Sequence, residues 1–185
     1  MNKKFYIEVG AHDGIFQSQT KSLEESGEWN GMLIEPNPYL FNQCVSNRNN
    51  DTNIFVNKCL VPRDYKKDTI TFFDYDLFGA GGRIEKYFIG SEPLGQKIEV
   101  PTANINKLLE DNNINVIDFF SIDVEGADID ILDSINFDER EYKEIVIELH
   151  YFKDDMINYV KNKYRDLFNI EVITDDQVHL RLTKK

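Results

Sequence analysis

Two short runs in this chain place carboxylates at spacings that chemistry can use. Ser121-Ile122-Asp123-Val124-Glu125-Gly126 follows the apolar Phe119-Phe120, and Glu148-Leu149-His150 follows Ile145-Val146-Ile147. Alternation along an extended backbone projects Asp123 and Glu125 to one side, and Glu148 and His150 likewise. Such a set can act in two ways. Asp123, Glu148 and His150 can ligate a hard divalent cation, Mg or Mn, that orients a diol and acidifies a hydroxyl. Alternatively Asp123, Glu125 and His150 can serve catalysis directly, with His150 the natural general base because its ordinary pKa lies near neutrality.

A second constellation opens the chain. Phe5-Tyr6-Ile7-Glu8-Val9 runs into Gly10-Ala11-His12-Asp13-Gly14, and a later apolar run ends on Glu35. A strand, a glycine turn, a helix and a strand ending in an acid form the plan of a nucleoside-binding βαβ unit. A dinucleotide needs glycine at the first, third and sixth turn positions, and here those hold Gly10, His12 and Ile15. Asp13 adds a negative charge where a pyrophosphate would sit. S-adenosylmethionine suits the site better, because its ammonium and sulfonium attract Glu8 and Asp13 while Glu35 accepts hydrogen bonds from the ribose. The His12 ring is read as solvated beside a backbone contact, and His179 as structural.

The elements that must carry these residues follow from periodicity. Strands are expected near 4–9, 31–35, 53–60, 69–75, 116–123, 143–149, 168–174 and 177–183, and helices near 18–26, 38–47, 103–112, 127–135 and 152–165. Continuous apolar strands suit a parallel sheet covered on both faces. The alternation predicts an α/β three-layer sandwich, Rossmann-like with a mostly parallel sheet, that ends in an antiparallel hairpin across Asp175-Asp176-Gln177. Asp128, Asp130, Asp133 and Asp138 read as the solvated face and exit of a helix whose Ile129, Leu132 and Ile135 face inward. Between 61 and 100 the pattern loosens around Phe78-Gly79-Ala80-Gly81-Gly82-Arg83, with aromatics at Phe72, Phe73, Tyr75, Tyr87 and Phe88. That segment is read as substrate-covering.

Composition narrows the partners. At 185 residues and 41% hydrophobic, the chain is sized for a single domain over 1–185 with a substantial core. A formal net charge of -12 argues against a nucleic-acid partner. Cys44 and Cys59 lack the spacing of a zinc site and read as reduced and buried. The apolar stretch after Met1-Asn2-Lys3-Lys4 ends at Gly10, too short for a leader or membrane span, so a soluble protein of a reducing, cytoplasmic compartment is expected. Oligomeric state is not legible.

Taken in order, IEVGAHDGIFQSQTKSLEE, GMLIEPNPYLF, VPTANINKLLED, IDFFSIDVEGADIDIL and IVIELH resemble the FkbM-type S-adenosylmethionine-dependent methyltransferases over roughly residues 5 to 152. The resemblance implies the class I methyltransferase fold and methyl transfer to a hydroxyl of a sugar, glycan or similar small molecule. It implies that Glu8, Gly10, Asp13 and Gly14 line the methionine half of the cofactor, with Ser18 and Thr20 near its carboxylate. Glu35 would hold the ribose, Pro36 with Cys59 and Leu60 the adenine, and Asp123 would face the methyl-transfer centre. Related sugar O-methyltransferases often use a divalent metal, and the family's usual Asn in the glycine turn is His12 here. Two rivals remain from other classes: a non-catalytic adenosine-binding module, and an NAD-dependent oxidoreductase.

Overall fold

The computed structural model describes residues 3–74, 82–84, 95–149, 153–174 and 178–185. The chain begins with β1 (Lys4–Val9), α1 (Lys21–Glu25), β2 (Trp29–Ile34), α2 (Pro38–Asn47) and β3 (Asn53–Val56). It continues through β4 (Cys59–Leu60), β5 (Thr69–Asp74), β6 (Arg83–Ile84), β7 (Gln96–Ala103), α3 (Ile105–Asp111), β8 (Val116–Ile117) and β9 (Phe119–Ile122). The last third comprises α4 (Asp128–Ser134), β10 (Glu141–Tyr142), β11 (Glu144–Glu148), α5 (Lys153–Tyr164), β12 (Phe168–Thr174) and β13 (Val178–Lys184).

A seven-stranded sheet of order β12-β13-β11-β9-β1-β2-β3 forms the centre. Its pairs from β11 to β3 are parallel, and β13 runs antiparallel between β11 and β12. The expected C-terminal hairpin is therefore present. Alternate residues of the inner strands feed opposite faces: Ile7, Val9, Met32 and Ile34 pack with Leu109 of α3, Leu132 of α4 and Val160 of α5. Tyr6 and Leu33 pack on the other side with Cys44 of α2 and Leu23 of α1. Burial on both faces explains why these strands read as unbroken apolar runs.

Three expectations are corrected. The apolar stretch 53–60 is two strands, because β3 ends at Val56 and β4 joins a separate four-stranded sheet of order β4-β7-β5-β6. The region from 61 to 100 therefore carries regular structure, including the start of β7. Asp128 is not on a solvated face: it is 1% exposed, and its carboxylate accepts the Val124 and Gly126 amides, both at 3.0 Å. Asp133 and Asp138 are exposed as expected. Tyr75, Phe78, Tyr87, Phe88 and the Asp175-Asp176-Gln177 turn lie outside the described residues.

Candidate active site

A cleft of about 910 Å³, open mouth included, lies beyond the carboxyl ends of β1, β2 and β9. There the strand order reverses direction, which is where open α/β sheets bind ligands. Gly10 makes the approach possible. With φ at +81°, a Cβ on it would sit 1.9 Å from the Asp123 carbonyl oxygen, so any side chain would push the two strand tips apart.

Six amides of the turn after β1 are already bonded within the protein. Gly10 and Ala11 N–H donate to the Ile34 carbonyl at 3.0 and 3.1 Å, and Gly14 N–H to the Ala11 carbonyl at 2.8 Å. His12 N–H donates to Glu35 Oε2 at 2.9 Å, and Ile15 and Phe16 N–H to Asp13 Oδ1 at 2.9 and 2.7 Å. Asp13 thus folds its own turn; burial opposes its ionisation, yet the Phe16 and Ile15 amides and His12 hold its carboxyl below the ordinary range. The helix that would aim its N-terminus at a pyrophosphate begins only at Lys21, and its cap residue Thr20 makes no side-chain cap bond.

Beneath the turn lies a buried ionic network that the sequence did not announce. Glu8, 3% exposed, accepts from Ser18 Oγ at 2.9 Å, Gln19 N–H at 2.7 Å, Thr20 Oγ1 at 2.6 Å and Arg48 Nη1 at 3.4 Å. Arg48 also donates to Glu24 at 2.9 Å, the Gly14 carbonyl at 3.1 Å, Tyr6 Oη at 2.8 Å and Thr20 Oγ1 at 3.0 Å. Gly14, at φ +82°, carries no side chain because a Cβ would meet Arg48 Cγ at 2.8 Å. Burial pushes the Glu8 carboxyl up, opposed by Thr20, Arg48, Ser18 and Gln19. Ser18 and Thr20 are therefore oriented onto Glu8, and Asp13, Gly14, Ser18 and Thr20 are not among the described lining residues of the cleft.

Glu35 is the contrasting acid. Like Glu8 it lines the cleft, at 5% exposure, and its oxygens accept the Asn37 amide at 2.8 Å and the His12 amide at 2.9 Å. Burial lifts its carboxyl to about 7, against the pull of those amides. Asn57 Nδ2 fixes the following loop through the carbonyls of Glu35 at 2.8 Å and Pro36 at 3.1 Å. Pro36, Cys59 and Leu60 complete this wall. Both cysteines are free and buried, and burial pushes each thiol up to about 12, so neither is a nucleophile at neutral pH.

At the far end stand Ser121, Asp123 and Glu125. Asp123 N–H continues the sheet by donating to the Val9 carbonyl at 3.2 Å. Glu125 Oε2 accepts from Arg83 Nη2 at 3.0 Å. Glu148 is 4% exposed and is not among the described lining residues, while His150 lies outside the described residues. Among the described residues no three His, Cys, Asp or Glu side chains gather as a metal-ligand set.

Backbone strain marks the same place. Non-glycine residues with positive φ include His12 at 51°, Gln17 at 50° and Glu125 at 56°, and all three line the cleft. The His12 ring is not simply solvated: it packs on Phe16 with centroids 5.2 Å apart, and its Nδ1 is 3.4 Å from Asp13. Gln17, Gln19, Lys58 and Arg83 also line the cleft and went unread. Of these only Arg83, directly after a glycine run, carried a signal.

A family model described as "Methyltransferase FkbM domain" matches residues 8–176. Solved structures share the fold at low identity. Human methyltransferase 10 domain containing protein is 8% identical with TM-score 0.54, covering 99% of this chain and 72% of that one. The methyltransferase FkbM of Methylobacillus flagellatus KT is 13% identical with TM-score 0.56, covering 98% of this chain, which spans 44% of that protein's length. M. capricolum TrmK, solved with its natural cofactor product S-adenosylhomocysteine, is 11% identical with TM-score 0.50, covering 100% of this chain and 63% of that one. No curated protein sequence matches. Among the described residues no helix is long and apolar enough to cross a membrane.

Proposed function

The chain belongs to the FkbM family of S-adenosylmethionine-dependent methyltransferases, and from that premise we propose that it moves a methyl group onto a hydroxyl of a sugar, glycan or similar small molecule. The observation that carries the cofactor reading is the turn after β1, whose amides of Gly10, Ala11, His12, Gly14, Ile15 and Phe16 are already bonded within the protein. A pyrophosphate would have to displace those internal bonds, whereas a sulfonium needs no amide donors. This disfavours the NAD-dependent oxidoreductase. Glu35 then takes the ribose hydroxyls, with Pro36, Cys59 and Leu60 against the base.

Transfer is an in-line displacement: the acceptor oxygen attacks the methyl carbon, the sulfur leaves, and one proton must go to a base. Positioning supplies most of the acceleration. In this reading Asp123, at the β9 tip beside Gly10, orients the acceptor hydroxyl and receives its proton, with His150 the alternative base. General-base help is worth roughly a hundredfold to ten-thousandfold. Phe16 and Phe72 give the cleft aromatic faces suited to a sugar ring.

Calorimetry with S-adenosylmethionine, S-adenosylhomocysteine and NAD tests the cofactor: heat with the first two and none with NAD is expected. Methyl transfer to a glycan panel then separates an enzyme from a binding module. Asp123→Asn should bind S-adenosylhomocysteine normally and lose at least a hundredfold in turnover, and normal turnover would remove Asp123 from its role. Chelator-insensitive activity leaves the metal reading without support.

A further inference from the structure

The four-stranded sheet meets the cleft through two kinds of contact. One is apolar: Phe72 of β5 and Ile84 of β6 pack in one cluster with Cys59, Val100 and Ala127. Cys59, Phe72, Ile84 and Val100 belong to the small sheet, whose β4 is itself the adenine-side wall, so the cluster joins that sheet to the turn before α4 at Ala127. The other is charged, the 3.0 Å bond from Arg83 Nη2 to Glu125 Oε2. Both side chains line the cleft, and they are shielded from solvent at 14% and 25% exposure.

Among the described residues, β6 meets its sheet through a short ladder. It spans Arg83–Ile84 and pairs with β5 through Phe72↔Ile84 and Phe73↔Arg83. An edge strand of that length contributes few hydrogen bonds to its own placement. Glu125, by contrast, is fixed. Its backbone sits at φ 56°, and the buried Asp128 carboxylate clamps the amides on either side, those of Val124 and Gly126. A left-handed non-glycine residue persists only where its surroundings over-determine it. Here the strained turn projects the Glu125 carboxylate across the cleft toward β6.

We propose that Arg83 and Glu125 are positioning residues forming a clasp that draws the small sheet over the bound cofactor and sets how tightly the cofactor is retained. The proposal rests on the methyltransferase reading. A shielded, charge-assisted hydrogen bond is stronger than a solvent-exposed pair, so the clasp adds to the described ladder beside it. Because Asp123 stands two residues before Glu125, the same contact orders the wall beside the methyl-transfer end.

Calorimetric titration with S-adenosylhomocysteine tests the clasp, using the wild-type chain, Arg83→Gln, Glu125→Gln, the double variant and the exchanged pair Arg83→Glu with Glu125→Arg. Each single variant should bind about tenfold more weakly, as expected for one charged hydrogen bond. The double variant should be no weaker than either single, and the exchanged pair should recover part of the loss. Arg83→Lys, which keeps the charge, should fall between wild type and Arg83→Gln and guards against a variant that fails to fold. Single variants that bind as wild type, or losses that add in the double variant, overturn the clasp while leaving the methyltransferase reading intact. Wild-type chain giving no heat with S-adenosylhomocysteine overturns both.

Discussion

Glu8, one residue before the end of β1, and Glu35, one residue past the end of the adjacent parallel β2, are both almost fully buried, yet their surroundings differ. Glu8 is met by a guanidinium, two hydroxyls and an amide. Glu35 is met by two backbone amides, those of His12 and Asn37. A buried carboxylate with a cation beside it stabilises the loop around it. One held only by amides keeps lone pairs directed at a ligand. Position on the fold is therefore a poor guide to role, and the partner set decides it.

The largest effect should come from breaking the first corner. Arg48→Ala leaves the buried Glu8 without its cation and takes from Glu24 its closest one, and removing one partner of a buried pair costs roughly 3 to 5 kcal/mol. Burial opposes ionisation of Glu24, yet bonds from Arg48 and Asn53 hold its carboxyl below the ordinary range, so that acid too depends on the arginine. Urea unfolding measures the loss. A change under about 1 kcal/mol would mean the network is no stronger than a surface pair and would erase the distinction from Glu35.

Why one corner was legible and the other not is a matter of sequence distance and hydrophobic contrast. Strands β1, β2, β9 and β11 could be read because both of their faces are buried, so apolar residues run unbroken. β7 could not: of Gln96–Ala103 only Val100 is buried, and Pro101 sits within it. Glu35 was found because it ends an apolar strand. Arg48 was missed because its partners Glu8, Gly14 and Glu24 lie 24 to 40 residues away and no local pattern links them. Likewise Asp128 shares its helix with the half-buried Asp130 and the exposed Asp133, and only the tertiary position of the Val124–Gly126 turn buries it.

The second corner predicts opposite pH slopes for stability and binding. Burial raises the folded Glu35 carboxyl from 4.5 to about 7. The folded state then holds a proton that the unfolded state releases, so this contribution is full below pH 4.5 and is lost as pH rises through 7. It amounts to roughly 3 kcal/mol at most. Ribose hydroxyls donate to the ionised carboxylate, so S-adenosylhomocysteine affinity should climb, by up to about tenfold between pH 6 and 8. In Glu35→Gln both slopes should flatten. Unfolding and titration series at matched pH check this, and a variant whose slopes equal those of wild type would assign the titration to another group, Glu8 being the first candidate.

The smallest test concerns what aims Glu35. Asn37 is buried, caps α2 by accepting the Tyr39 and Leu40 amides at 2.9 and 3.3 Å, and gives its own amide to Glu35. Asn37→Ala removes the cap but keeps the amide, so stability should fall by about 1 kcal/mol. If the cap holds the loop in register, affinity for S-adenosylhomocysteine should fall with it by a few-fold, because the Asn37 amide shifts away from the carboxylate. Loss of stability without loss of affinity would show that the Asn57 bonds to the Glu35 and Pro36 carbonyls suffice to hold the acid in place. The Glu35 corner would then be as over-determined as the Glu8 corner, through the backbone instead of through charge.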